Sequence, residues 1–181
     1  MLKPIALFCL ALLPLTTNAA IEKYATSCGN RICFHWWPKV PAIPGWHQDR
    51  ERNFDMGVNL LVPDDRGFSD APAVIYARAV YKPRVPEVKS LDALIEQDRR
   101  TFLAEKPDGA VAEAGKLTTG DGHRLRSLTF FAPHSGSWER VAYGEEGDFY
   151  LIFTLSAQDK ASYEHGTPLF EAWVGRYREA P

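Results

Sequence analysis

The chain has 181 residues, of which 45% are hydrophobic and 24% charged, with 21 Lys and Arg against 23 Asp and Glu and a formal charge of −2. That balance, with no Lys/Arg run, excludes nucleic acid as the expected partner, because neutralising phosphates takes clustered cations. It offers nothing to an anionic membrane surface either.

Residues 1–19 join a cationic start at Lys3 to a short apolar run from Ile5 to Leu15 and then to small residues ending at Ala19. This is the pattern of a secretory signal peptide. The run falls short of the roughly 20 residues that a membrane-crossing helix needs, so the expectation is a periplasmic or secreted protein with no membrane anchor. Cys9 lies within the apolar run and leaves with the leader.

Cys28 and Cys33 then remain. Two cysteines in an oxidising compartment pair, and Gly29 and Asn30 between them suit a tight reversal that brings their Cα atoms within disulfide range. A zinc site built from Cys28, Cys33, His35 and His47 is the alternative, although it needs reduced thiolates. Covalent haem wants Cys-x-x-Cys-His and a dithiol redox centre wants Cys-x-x-Cys, and the spacing here is neither. The disulfide is favoured, and no metal or cofactor is expected.

Residues 20–45 form a disulfide-stapled extended segment in which Pro38, Pro41 and Pro44 exclude a helix. The domain proper spans 46–181. From Asn53 to Val62, Phe54, Met56, Val58, Leu60 and Val62 alternate with their neighbours, the period of a half-buried strand. Ala73 to Tyr81 is a second strand, rich in β-branched and aromatic residues. Ser90 is an N-cap with Asp92 in the first turn, and Leu91, Leu94, Ile95, Phe102 and Leu103 share a helical face that ends before Pro107. Four strands follow, over Ala110 to Leu117, His123 to Phe131, Trp138 to Tyr143 and Phe149 to Leu155, linked by short turns that make them antiparallel neighbours. FYLIFTL, nearly all apolar, is expected at the centre of the sheet. A last helix starts near Thr167 and Pro168, with Leu169, Phe170, Trp173, Val174 and Tyr177 as its apolar stripe. The order implies an α+β fold: a single antiparallel β-sheet of about six strands with helices packed on its faces.

This pattern resembles the PsbP-like superfamily. The likeness is carried by GWHQD at Gly45 to Asp49, NFDMGVNLLVP at Asn53 to Pro63, APAVIYARAVY at Ala71 to Tyr81, WERVAYGEEGDFYLIFTLSA at Trp138 to Ala157 and PLFEAWVGRY at Pro168 to Tyr177. It implies an α/β/α sandwich used for binding or assembly rather than chemistry.

His35, Trp36, Trp37, Trp46 and His47 form the densest constellation. They read either as an aromatic ledge for a ligand or as rings that close the end of the sheet. APHSGSWE sets His134 beside Ser135 and Ser137 without a nucleophile elbow, so a hairpin loop explains it as well as a hydrolase does. The acid pairs Asp64 with Asp65 and Glu145 with Glu146, and the histidines His123 and His165, fit solvated loops. The expected function is therefore an exported, non-catalytic binding or assembly domain of the bacterial envelope, with an envelope protein or small ligand as its partner. The alternatives are a periplasmic immunity protein against a secreted toxin, and an envelope hydrolase or metal-binding protein that uses the loop histidines.

Overall fold

A computed structural model describes residues 20–179. The expected signal peptide lies outside the described residues. Strands β1 (Ile21–Cys28) and β2 (Arg31–Pro38) form an antiparallel hairpin of their own. Gly29, the first of its two turn residues, has φ +63°, which a II′-type reversal requires at that position. Cys28 and Cys33 are joined across the hairpin end, with Cα atoms 5.8 Å apart. Within the segment 20–45 the extended chain is thus paired with itself.

Next come β3 (Trp46–Gln48), helix α1 (Arg50–Met56) and β4 (Asn59–Pro63). The strand expected from Asn53 to Val62 is corrected here: its first half is helical and only its second half is strand. The capping residues decide the outcome. The Asp49 carboxylate accepts the Arg52 N–H at 3.1 Å, and Gly57, at φ +67°, closes the helix in the left-handed conformation. Phe54 and Met56 consequently stand exposed, at 44% and 41%, instead of facing a core.

Strand β5 (Ala73–Tyr81) leads to α2 (Leu91–Glu105), and then come β6 (Ala110–Thr118), β7 (Arg124–Ala132), β8 (Ser137–Glu146), β9 (Phe149–Ala157) and α3 (Lys160–Val174). Ser90 caps α2 as expected, accepting the Ala93 N–H at 3.1 Å. Helix α3 starts two turns earlier than expected. Asp159 caps it by accepting the Ser162 N–H at 2.8 Å, and Pro168 sits inside the helix. Its polar opening turns carry little apolar periodicity, so only the second half was legible as a helix.

The main sheet has seven antiparallel strands in the order β3-β4-β5-β9-β8-β7-β6, with β9 fourth of the seven. The fold is α+β with a large antiparallel sheet, but seven strands plus a separate pair replace a single sheet of six. Because β5 pairs with β9 while β6 lies at the far edge, α2 must carry the chain across one face. There Leu94 and Ile95 pack on Leu128, Phe130, Val141, Tyr143 and Ile152. On the opposite face Phe170, Trp173, Val174 and Tyr177 pack over Ile75, Ala77, Ala142, Phe153 and Leu155. Small residues on β5 and β8 let these large rings approach closely.

Candidate binding cleft

The hairpin reaches the sheet through its second strand. Trp36 packs against Tyr81 and Phe149 at ring separations of 5.4 and 6.2 Å. Arg84 Nη1 donates to the Phe34 carbonyl at 3.2 Å. The opposite face of the hairpin looks towards α1. There Tyr24 and Trp37, diagonal across the pair, stack at 3.8 Å, and Phe54 of α1 meets both edge-on at 5.7 and 6.1 Å.

These rings wall a cleft of about 690 Å³, which Glu22, Lys39, Val40, Pro41, Gln48, Arg50, Asn53 and Asn59 also line. Its charges are largely settled internally. Glu22 pairs with Lys39 at 2.5 Å and accepts the Tyr24 hydroxyl. Burial raises the Glu22 carboxyl, but the Lys39 and Tyr24 hydrogen bonds and the Lys39 charge leave it below the usual range. The Tyr24 phenol is pushed up to about 12, first by burial and then by Glu22, and Arg50 opposes the rise.

An amide chain orients the floor. The Pro38 and Val40 carbonyls can only accept, so Asn59 gives them its Nδ2, at 3.0 and 3.3 Å. Asn59 Oδ1 then accepts from Gln48 Nε2 at 2.9 Å. By the same logic the Leu60 N–H, at 2.7 Å, claims Asn53 Oδ1.

The five residues of the sequence constellation go to separate places. Trp37 is in the cleft, and Trp36 is on the other face of the hairpin, with the Arg84 guanidinium 4.6 Å from its ring. His35 Nε2 lies 2.9 Å from Thr26 Oγ1, and its ring sits against Gly57. Trp46 is buried in the main core and borders a second cleft of about 580 Å³ with Pro44, His165 and Leu169. His47 turns outward, its Nδ1 3.6 Å from Asp64. The ledge read from His35, Trp36, Trp37, Trp46 and His47 is therefore not one surface. Sequence reasoning missed Tyr24, Asn53 and Phe54, because the tight turn that folds β1 onto β2 was read only as a stapled loop and Phe54 only as a strand residue.

A smaller cleft of about 220 Å³ lies between α2 and β8, with Asp98, Phe102, Glu139 and Tyr143 among its residues. Burial lifts the Asp98 and Glu139 carboxyls above their usual range, against the opposing charges of Arg78 and Lys106 respectively. Burial first, then Asp98, raises the Tyr143 phenol.

At the loop tempting for hydrolysis, His134 Nδ1 lies 3.0 Å from Asp108, while the Ser135 hydroxyl donates to the Ala132 carbonyl at 3.2 Å. The joined sulfurs of Cys28 and Cys33 remove the thiolates that the zinc alternative needs. Among the described residues no group of three or more His, Cys, Asp and Glu is placed to hold a metal ion. Nor is any described helix long and apolar enough to cross a membrane.

No family model matches the chain, and no curated protein matches it. Among the solved structures that resemble it in chain trace are two whose likeness extends over most of both chains. One is PA94, a Pseudomonas aeruginosa protein of unknown function, 14% identical with a TM-score of 0.47, over 88% of this chain and 99% of that one. The other is a cyanobacterial PsbP from Synechocystis, 12% identical with a TM-score of 0.47, over 94% of this chain and 98% of that one. The second is a PsbP, the family that the residue pattern resembles. The likeness concerns fold alone.

Proposed function

We propose that this chain is an exported, non-catalytic binding domain of the cell envelope, and that its ligand sits between the β1–β2 hairpin and α1. The observation that carries the reading is the Phe54 ring, 44% exposed on a short helix and closing a wall of stacked aromatics. Apolar surface left facing water gives about 25 cal/mol per Å² when it is covered. The cleft volume of about 690 Å³ falls within the range typical of small-ligand sites. The apolar leader and the Cys28–Cys33 disulfide support an address outside the cytosol.

Amide-shift mapping with two neutral probes, indole and cyclohexanol, tests the site. Shifts centred on Tyr24, Trp37 and Phe54 are expected. Shifts confined to the second cleft around Trp46 and Leu169, or none up to the solubility of the probes, would refute the reading. Envelope fractionation with thiol titration tests the address, which fails if the protein is recovered in the cytosol with Cys28 and Cys33 as free sulfhydryls.

A further inference from the structure

We propose that the cleft selects a ligand with one carboxylate, an adjacent hydrogen-bond donor and a flat apolar body, the carboxylate being held by Arg50 and Asn53. This rests on the cleft reading above and names what fills it. Three charged side chains line the cavity: Glu22, Lys39 and Arg50. Glu22 and Lys39 neutralise one another at 2.5 Å. Arg50 has no ion pair or hydrogen bond among the described residues, although it is near enough for its charge to act on the Tyr24 phenol. No acid among the described residues forms an ion pair with it: Asp49 caps α1 and Asp55 pairs with Arg52 at 3.5 Å. In a chain of formal charge −2, the cleft thus carries one uncompensated charge, and it is positive.

Asn53 supplies an independent second donor. The residue is 6% exposed, and the Leu60 N–H fixes its side-chain oxygen, so the amide Nδ2 is the atom left over. That nitrogen has no partner among the described residues and is not sealed in the interior. Because it opens onto the cleft, it can exchange a water partner for a ligand acceptor. With Gln48 Nε2 committed to Asn59, Gln48 Oε1 is the matching acceptor. Two donors, one of them a guanidinium, fit a carboxylate, and a lone acceptor fits an N–H or O–H beside it. The edge-on rings of Phe54 and Trp37 fit an aromatic or broad aliphatic group. An N-acylated aromatic amino acid has this chemistry, and so does the last residue of a peptide chain.

The test titrates the oxidised protein with N-acetyl-phenylalanine and with its uncharged primary amide, following the amide shifts and the Arg50 Nε resonance. The acid is expected to bind about tenfold more tightly than the amide, as a hydrogen bond to a charged group predicts. Arg50→Gln should equalise the two probes, Arg50→Lys should keep part of the preference, and Phe54→Ala should weaken both alike. Equal binding of acid and amide to the unaltered protein would overturn the proposal, as would a preference that survives Arg50→Gln. Loss of both probes from the cleft while indole still binds there would overturn the ligand class and leave the cleft reading standing. Shifts that move to Trp46 and Leu169 would overturn both. Comparison with the tripeptide Ala-Ala-Phe distinguishes the sources, since tighter binding of the tripeptide points to a peptide terminus and tighter binding of the acylated amino acid to a free small acid.

Discussion

Gly57 carries two demands at one position. Its φ of +67° lies in the left-handed region, and a methyl group added there would stand 2.2 Å from His35 Nδ1. The first demand costs a non-glycine residue about 1–2 kcal/mol, and the second forces the hairpin away from α1, on whose contact the cleft depends. Gly57→Ala should therefore destabilise the protein by about 2–4 kcal/mol in urea unfolding. In a His35→Ala background only the backbone part, about 1–2 kcal/mol, should remain. An equal cost in both backgrounds would mean that the ring does not limit the site. The constellation of tryptophans and histidines was legible in the sequence as chemistry, since five large polar-aromatic groups in so short a span are visible in any reading. Their separation was not. Trp36 and Trp37 point to opposite faces because they are neighbours on a strand, and that inference requires the strand to be recognised first.

At the scale of elements, α2 and the four strands after it were legible because their patterns are long and their caps conventional, with Ser90 at one end and turn residues between the strands. Helix α1 was not. Seven residues give too little period to set against an alternation that happens to cross the helix end, and only the caps Asp49 and Gly57 mark it. The hairpin was hidden because two cysteines drew attention to the bond rather than to the turn it clasps. The chain-entropy effect of so small a loop is about 2 kcal/mol, and replacing both cysteines with serine should lower stability by that amount. Amide exchange should rise first at residues flanking Gly29, while β9 stays protected. Uniform acceleration across the sheet would show that the hairpin folds as one unit with the body.

The docking of α2 also predicts a pH effect. Burial raises the Glu139 carboxyl in the folded protein, so the unfolded chain ionises first as pH rises. The native state then binds more protons than the unfolded one, and Glu139 subtracts stability progressively as pH climbs from the ordinary glutamate range to its folded value, above which the full penalty is present. Below that range both states are protonated and the penalty is absent. Glu139→Gln, which keeps a group able to bond Ser156, should raise the melting temperature at pH 7 and leave it unchanged near pH 3. A lower melting temperature at pH 7 would mean that Lys106 holds the ionised carboxylate more strongly than burial opposes it.

At the scale of the whole molecule, the sheet is covered on both faces, and the composition of FYLIFTL announced its central place. Its near-continuous apolar run belongs to a strand with no solvent side, and Tyr150 to Leu155 are all buried. What no strand pattern could announce is the polar tie through one of the two covering layers. Arg140, on β8, is 8% exposed yet charged. Its guanidinium donates to Ser127 Oγ on β7 at 3.1 Å, to the Ala114 carbonyl at the irregular stretch of β6 at 3.1 Å, and to Glu171 on α3 at 2.5 Å. One residue thus holds the irregular edge of the sheet and the helix above it in register. The two sides of this tie should not contribute equally. Glu171 is half exposed and can return to water when released, so Glu171→Gln should cost under about 1 kcal/mol. Arg140→Ala strips the Ala114 carbonyl and the Ser127 hydroxyl of a buried donor and leaves a void under α3, for a cost of about 2–4 kcal/mol. Urea midpoints of the two variants measure the asymmetry, and comparable losses would show that the ion pair, rather than the hydrogen bonds to the sheet, fastens α3 to its face.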